Sequence, residues 1–183
     1  MIDIIKTAIE GVVIVEPKVF GDARGYFMES WSERDFAAAV GPVKFVQDNE
    51  SCSRYGVVRG LHFQKAPFAQ SKLVRVVSGA VLDVAVDLRP GSPTFGKHVV
   101  VELSGENHRQ LFIPKGFAHG FSVLSETVVF QYKCDEFYHP EAEGAIAWDD
   151  PDLAIDWRIP AADVILSAKD RNHPSFKTYT NEL

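Results

Sequence analysis

The stretch Lys72-Leu73-Val74-Arg75-Val76-Val77-Ser78-Gly79-Ala80-Val81-Leu82-Asp83-Val84-Ala85-Val86-Asp87 reads as two short β-strands joined by a tight turn. Residues 72–77 and 81–87 are rich in β-branched side chains, and Ser78-Gly79 carries turn chemistry. The pattern continues outward through residues 98–103, 108–113, 119–124 and 128–134. Between them lie Arg89-Pro90-Gly91-Ser92-Pro93, Ser104-Gly105-Glu106-Asn107, Pro114-Lys115-Gly116 and Ser125-Glu126. Short strands at this spacing predict a mainly β sandwich or barrel, not alternating β/α units.

Period-2 alternation says which polar groups share an apolar face. Lys72 lies with Val74 and Val76, Tyr132 with Val128 and Phe130, and Asp83 with Val81 and Ala85. A small barrel has an interior fit for one small ligand, and polar groups on such a face find partners or do chemistry.

Upstream, the β-branched run at 12–15 stops at Pro17, and Gly21-Asp22-Ala23-Arg24-Gly25 is a turn. Residues 26–31 read as a strand with Phe27, Glu29 and Trp31 on one face. Residues 32–40 form the helix candidate, capped by Ser32 and ended by Gly41-Pro42, and 44–47 reads as a further strand. Beyond Pro140 the expectation is an irregular or short-helical segment.

The chain of 183 residues is expected to be one domain, 1–183, with 46% apolar and 24% charged residues. Its net charge of −6 argues against general nucleic-acid binding, while a few cations in a cleft can still hold an anionic ligand. Cys52 and Cys134 are too far apart for a CxxC site and read as reduced thiols. With no leader pattern and no run of about 20 apolar residues, the expected place is the cytoplasm, away from membranes.

Within 58–72, Arg59, His62 and Lys72 stand in apolar surroundings: a fixed cation, an imidazole and a point-charge donor. Together they can bind phosphate, take a proton and stabilise an oxyanion. Pro114-Lys115-Gly116-Phe117-Ala118-His119-Gly120 resembles the second motif of the cupins, jelly-roll β-barrels. Metal-binding cupins pair it with a His-x-His, whereas Leu61-His62-Phe63-Gln64 has one histidine and Val123 stands where a polar residue often follows. That departure disfavours a metal site.

A fuller match comes from Gly21-Asp22-Ala23-Arg24-Gly25-Tyr26-Phe27, Gln47-Asp48-Asn49-Glu50-Ser51, Gly56-Val57-Val58-Arg59-Gly60-Leu61-His62-Phe63-Gln64, Lys72-Leu73-Val74-Arg75-Val76 and the segment from Pro114 to Phe121. In this order they resemble the dTDP-4-dehydrorhamnose 3,5-epimerase family of the cupin superfamily, over nearly the whole chain. The resemblance implies a cupin-type jelly-roll barrel with a short helix near the N-terminus. It implies epimerisation at C3 and C5 beside a C4 ketone, without metal or other cofactor.

The roles it implies are His62 as base, Lys72 as enolate stabiliser, Tyr132 as opposing acid and Asp170 as partner of His62. Asp83 is a further hydrogen-bonding candidate. Arg24, Phe27, Glu29, Gln47, Asn49 and Arg59 are implied at the thymidine diphosphate. His119, Tyr138, Glu143 and Lys169 are implied around the sugar and phosphates, Tyr138 standing where the family often has tryptophan. A homodimer is implied, its N-terminal segment reaching the partner's site. Three alternatives stay open: an epimerase acting at one carbon only, a metal-dependent cupin oxygenase or isomerase, and a nucleotide-sugar-binding module.

One geometric condition attaches to this site. Strict alternation puts Arg59 and His62 on opposite faces. Both reach one cavity only if the strand bulges or bends at Gly60.

Overall fold

The computed structural model describes residues 2–180. In chain order the first strands are β1 (Ile2–Lys6), β2 (Val13–Pro17), β3 (Val19–Asp22), β4 (Gly25–Met28), β5 (Gln47–Arg54), β6 (Val58–Gln64) and β7 (Lys72–Ser78). They are followed by β8 (Ala80–Asp87), β9 (His98–Ser104), β10 (Gln110–Ile113), β11 (Phe117–Val123), β12 (Thr127–Cys134) and β13 (Glu143–Ala145). Helix α1 (Glu33–Ala39), the short α2 (Phe176–Thr180) and the 3-10 turns Pro140–Ala142, Ala161–Asp163 and Asp170–Asn172 complete the regular structure of the described residues.

Two antiparallel sheets face each other, six strands in the order β1-β2-β10-β7-β12-β5 and five in the order β13-β6-β11-β8-β9. Strands β3 and β4 form a separate hairpin. Val74, Val76, Leu111, Ile113, Val128 and Phe130 of the first sheet meet Val81, Ala85, Val101, Leu103, Phe121 and Val123 of the second in one buried cluster. These are the inward residues that alternation selects. Truncating one such ring, Phe130, to alanine would cost about 3–5 kcal/mol.

Strand β8 is buried almost throughout because its other face is covered as well. Val84, Val86, Val58 and Leu61 pack against Ile146, Leu153 and Trp157 of the C-terminal segment. That double cover explains why residues 81–87 read as a nearly continuous apolar run. Behind the six-stranded sheet, Phe36 of α1 packs on Val15, Leu73 and Phe112. Ser32 caps α1 by accepting from the Asp35 amide, and Gly41, at φ +134, follows its end.

The structure corrects several strand expectations. The expected strand 44–47 begins at Gln47 and runs to Arg54. Its sequence Gln-Asp-Asn-Glu-Ser-Cys-Ser-Arg carries no apolar alternation, because its inward face is polar and partly lines the candidate site. The expected strand 26–31 stops at Met28, so Phe27 and Trp31 do not share its face. Trp31 instead packs on Phe36 and Phe45, ring centroids 5.1 and 4.8 Å away. Strands β1, β3 and β13 also emerge where no strand was expected, and the expected turn 21–25 narrows to Ala23 and Arg24.

Candidate active site

The site begins with the irregularity at Gly60. Across β6 and β11, His62 faces His119 and Arg59 faces Phe121, so three steps along β6 oppose two along β11. This bulge leaves Val58 and Leu61 together in the outer cluster and turns Arg59 and His62 to the inner face. Gly60 has φ +131, and a Cβ there would stand 2.6 Å from the Gly120 Cα. Gly120 is equally constrained, with the Arg59 carbonyl oxygen 2.6 Å from its own hypothetical Cβ. Two bare backbones therefore allow the bend.

His62 opens onto a cavity of about 280 Å³, lined also by Gln47, Asn49, Lys72, Tyr132 and Tyr138. His62 comes from the five-stranded sheet, while Lys72 and Tyr132 come from the six-stranded one. Basic and acidic candidates thus meet across the gap between the sheets. His62 Nε2 lies 2.6 Å from Asp170 Oδ1. The other oxygen of Asp170 accepts from the Ser167 hydroxyl at 2.6 Å. Burial alone would raise Asp170, but the His62 and Ser167 hydrogen bonds win and hold it at about 2.

Lys72 places its ammonium 5.8 Å from the centre of the Tyr132 ring. Burial pushes it below the usual lysine range, against the pull of Cys134, Asp83 and Glu143. Burial also raises the Tyr132 phenol, so it carries its proton at neutral pH. Cys134 is pushed up to about 11 by burial and stays a thiol beside Lys72. Deeper in the barrel His119 Nε2 lies 3.0 Å from Asp83 Oδ2. Burial raises Asp83 and lowers His119, while their mutual attraction opposes both shifts.

At the rim, Gln47 donates to Asn49 Oδ1 at 3.0 Å and accepts from the Tyr138 amide at 3.2 Å. The Tyr138 hydroxyl donates to Glu143 at 2.9 Å, and Lys169 donates to the same carboxylate oxygen. Arg59 rests its guanidinium on the Ser53 hydroxyl, 3.0 Å from Nη2, and is otherwise exposed. Arg24, Phe27 and Glu29 are not brought to this cavity within one chain. Arg24 sits at the tip of the β3–β4 hairpin, paired with Asp22, and Phe27 is 66% exposed. Glu29 follows the same hairpin.

Several residues at the site were not singled out from the sequence. Gln64 follows His62 by two and so shares its face, which was a readable signal. Its amide donates to the Phe68 and Phe137 carbonyls and accepts from the His139 amide, tying two loops over the cavity. Cys134 shares a face with Tyr132 by the same rule. Ser167 and His173 lie in an aperiodic segment that gives no such signal.

A family model described as dTDP-4-dehydrorhamnose 3,5-epimerase matches residues 6–178. The chain belongs to the dTDP-4-dehydrorhamnose 3,5-epimerase family. The enzyme of that name from Escherichia coli K12 is 56% identical over 169 residues, covering 92% of this chain and 91% of its own. The crystal structure of a dTDP-6-deoxy-D-glucose-3,5-epimerase from Legionella pneumophila, in complex with dTDP-4-keto-L-rhamnose, is 51% identical. It superposes with a TM-score of 0.95 over 100% of this chain and 96% of that one. A 3'-monoepimerase from Streptomyces bikiniensis, in complex with dTDP-quinovose, is 34% identical with a TM-score of 0.90. That match covers 96% of this chain and 89% of the relative. The jelly-roll architecture of the family is thus the architecture of this chain.

Proposed function

We propose that this enzyme converts dTDP-4-dehydro-6-deoxy-D-glucose to dTDP-4-dehydro-L-rhamnose by epimerisation at C3 and C5, as a step of dTDP-L-rhamnose biosynthesis. The observation that carries the reading is the hydrogen-bonded His62–Asp170 pair facing Lys72 and Tyr132 across one cavity. A carbon beside a ketone loses its proton when a base stands over it and a cation meets the enolate oxygen. His62 takes the proton, and Asp170 stabilises the imidazolium that forms. The Lys72 ammonium lies at the C4 oxygen and holds the developing charge. Tyr132, from the opposite sheet, returns a proton to the other face of the carbon. Electrons balance within the sugar: a C–H bond breaks, an enolate forms, and a new C–H bond forms with inverted configuration.

Arg59 grips the diphosphate, and Gln47 and Asn49 contact the nucleotide. Tyr138, Glu143, Lys169 and His119 surround the sugar and phosphates. Arg24, Phe27 and Glu29 complete the thymidine pocket of a partner in a homodimer. The exposed β3–β4 hairpin, with Phe20 and Phe27 outward, supports that exchange. Two unpaired cysteines fit a cytoplasmic enzyme, and among the described residues no helix is long and apolar enough to cross a membrane.

The likeness to a monoepimerase supports a second reading, inversion at one carbon only. Borohydride trapping of the product, followed by sugar analysis, separates the two. Inversion at both C3 and C5 is expected, and a product inverted at a single carbon would replace the first reading by the second.

A further inference from the structure

His173 has no part in the reaction described above, yet it stands against the base. It follows the 3-10 turn Asp170–Asn172, and its side chain is only 7% exposed. Among the described residues neither ring nitrogen has a partner in good hydrogen-bonding geometry. Leaving buried polar atoms unpaired is costly, so such a group calls for an explanation. Its ring meets that of His62 edge to face, centroids 5.3 Å apart at 80°. Its Nε2 lies 3.9 Å from Asp170 Oδ1, the same oxygen that sits 2.6 Å from His62 Nε2.

One ligand atom each from His62, Asp170 and His173 therefore falls within 4.8 Å of the others. Zinc binds nitrogen and carboxylate oxygen at roughly 2.0–2.2 Å, so tetrahedral neighbours lie about 3.4 Å apart. The two distances to Asp170, 2.6 and 3.9 Å, straddle that spacing, and the pair of ring nitrogens, within 4.8 Å of each other, must close by up to about 1.4 Å to meet it. Two imidazoles and one carboxylate suit a first-row transition cation and not magnesium or calcium. The Gly60 carbonyl beside His173 is available to the other ring N–H, the usual outer support of a ligating imidazole. A hollow lined by Glu143, Lys169 and His173 gives entry from outside. His119 and His139 are engaged by Asp83 and Glu141 instead.

We propose that His62, Asp170 and His173 form a binding site for a zinc-class divalent cation, and that occupying it switches the enzyme off. The inhibition rests on the reading of His62 as the base; the binding does not. On entry the cation displaces the proton from His62 Nε2, and that proton moves through solvent to Nδ1 of the same ring. The cation accepts one lone pair from each imidazole and one carboxylate oxygen, and water takes the fourth position. His62 then has no lone pair for the substrate proton.

The test uses the full-length, chelator-treated enzyme titrated with zinc chloride alone, in competition with a chromogenic chelator. One zinc per chain is expected in the wild type. His173→Gln should weaken binding at least tenfold, His173→Cys should retain it through a thiolate, and His139→Gln should change nothing. Circular dichroism checks that each variant is folded. Absence of stoichiometric binding, or equal binding by folded His173→Gln, overturns the site. In parallel, solvent deuterium exchange into substrate should fall as zinc fills the site and return with EDTA. Zinc bound at one per chain with exchange undiminished would leave the site standing and overturn the role of His62 as base.

Discussion

Replacing Asp170 by asparagine removes one charge and almost no volume, which isolates the electrostatic work of the pair. Asp170 is nearly buried, and burial by itself would raise its carboxyl. The hydrogen bonds from His62 and Ser167 reverse that and bring it from 3.8 to about 2. A fall of nearly two units corresponds to about 2 kcal/mol of preference for the carboxylate in this setting. The imidazolium exists only after His62 has taken the substrate proton, so the loss falls on the transition state and not on substrate binding. The expected result is a fall in kcat of at least about 30-fold with KM nearly unchanged, read from initial rates of solvent deuterium incorporation.

A second readout comes from stability. The folded value lies below the ordinary one, so the carboxylate adds stability above the ordinary value. That contribution drains away as pH falls toward about 2. Urea titrations between pH 5 and 2 should therefore show a shallower acid loss in Asp170→Asn than in the wild type. A variant with kcat within threefold of the wild type, or with an unchanged acid limb, would refute the assigned role of the pair.

Three further substitutions test the rest of the site. Gly60→Ala places a methyl 2.6 Å from the Gly120 Cα at φ +131, and should cost about 3–5 kcal/mol in chemical denaturation together with most activity; retention of both would mean that the bulge is not what orients His62. Lys72→Met removes an ammonium whose charged form burial disfavours, so activity should fall by about 1,000-fold or more while the melting temperature does not drop. A variant of Lys72 that stays active would remove the enolate assignment. Tyr132→Phe should keep deuterium wash-in but slow inversion by about 100-fold, and equal losses of the two would show that the phenol is not the opposing acid.

The sequence displayed the barrel because its inner strands obey a period of two. Val74, Val76, Val128 and Phe130 were readable as one core from spacing alone, and the structure packs them together. Strand β5 escaped notice because its inward side chains are polar and its hydrophobicity never alternates, although its burial does. The geometric condition at Gly60 was legible as a conflict: Arg59 and His62 could not share a face without a bulge, and a bulge is present. The pairing of His62 with Asp170 rested on resemblance, since 108 residues separate them and the C-terminal segment has no period to read. His173 was invisible for the same reason. Its importance lies in unpaired nitrogens, which only coordinates reveal.

We propose that one imidazole, His62, removes the protons at both carbons. Incubation of the 4-keto sugar in deuterium oxide, followed by NMR of C3 and C5, tests it in the wild type and in His62→Ala. Deuterium is expected at both positions with the wild type and at neither with the variant. Label at both carbons in the variant, at the wild-type rate, would contradict it.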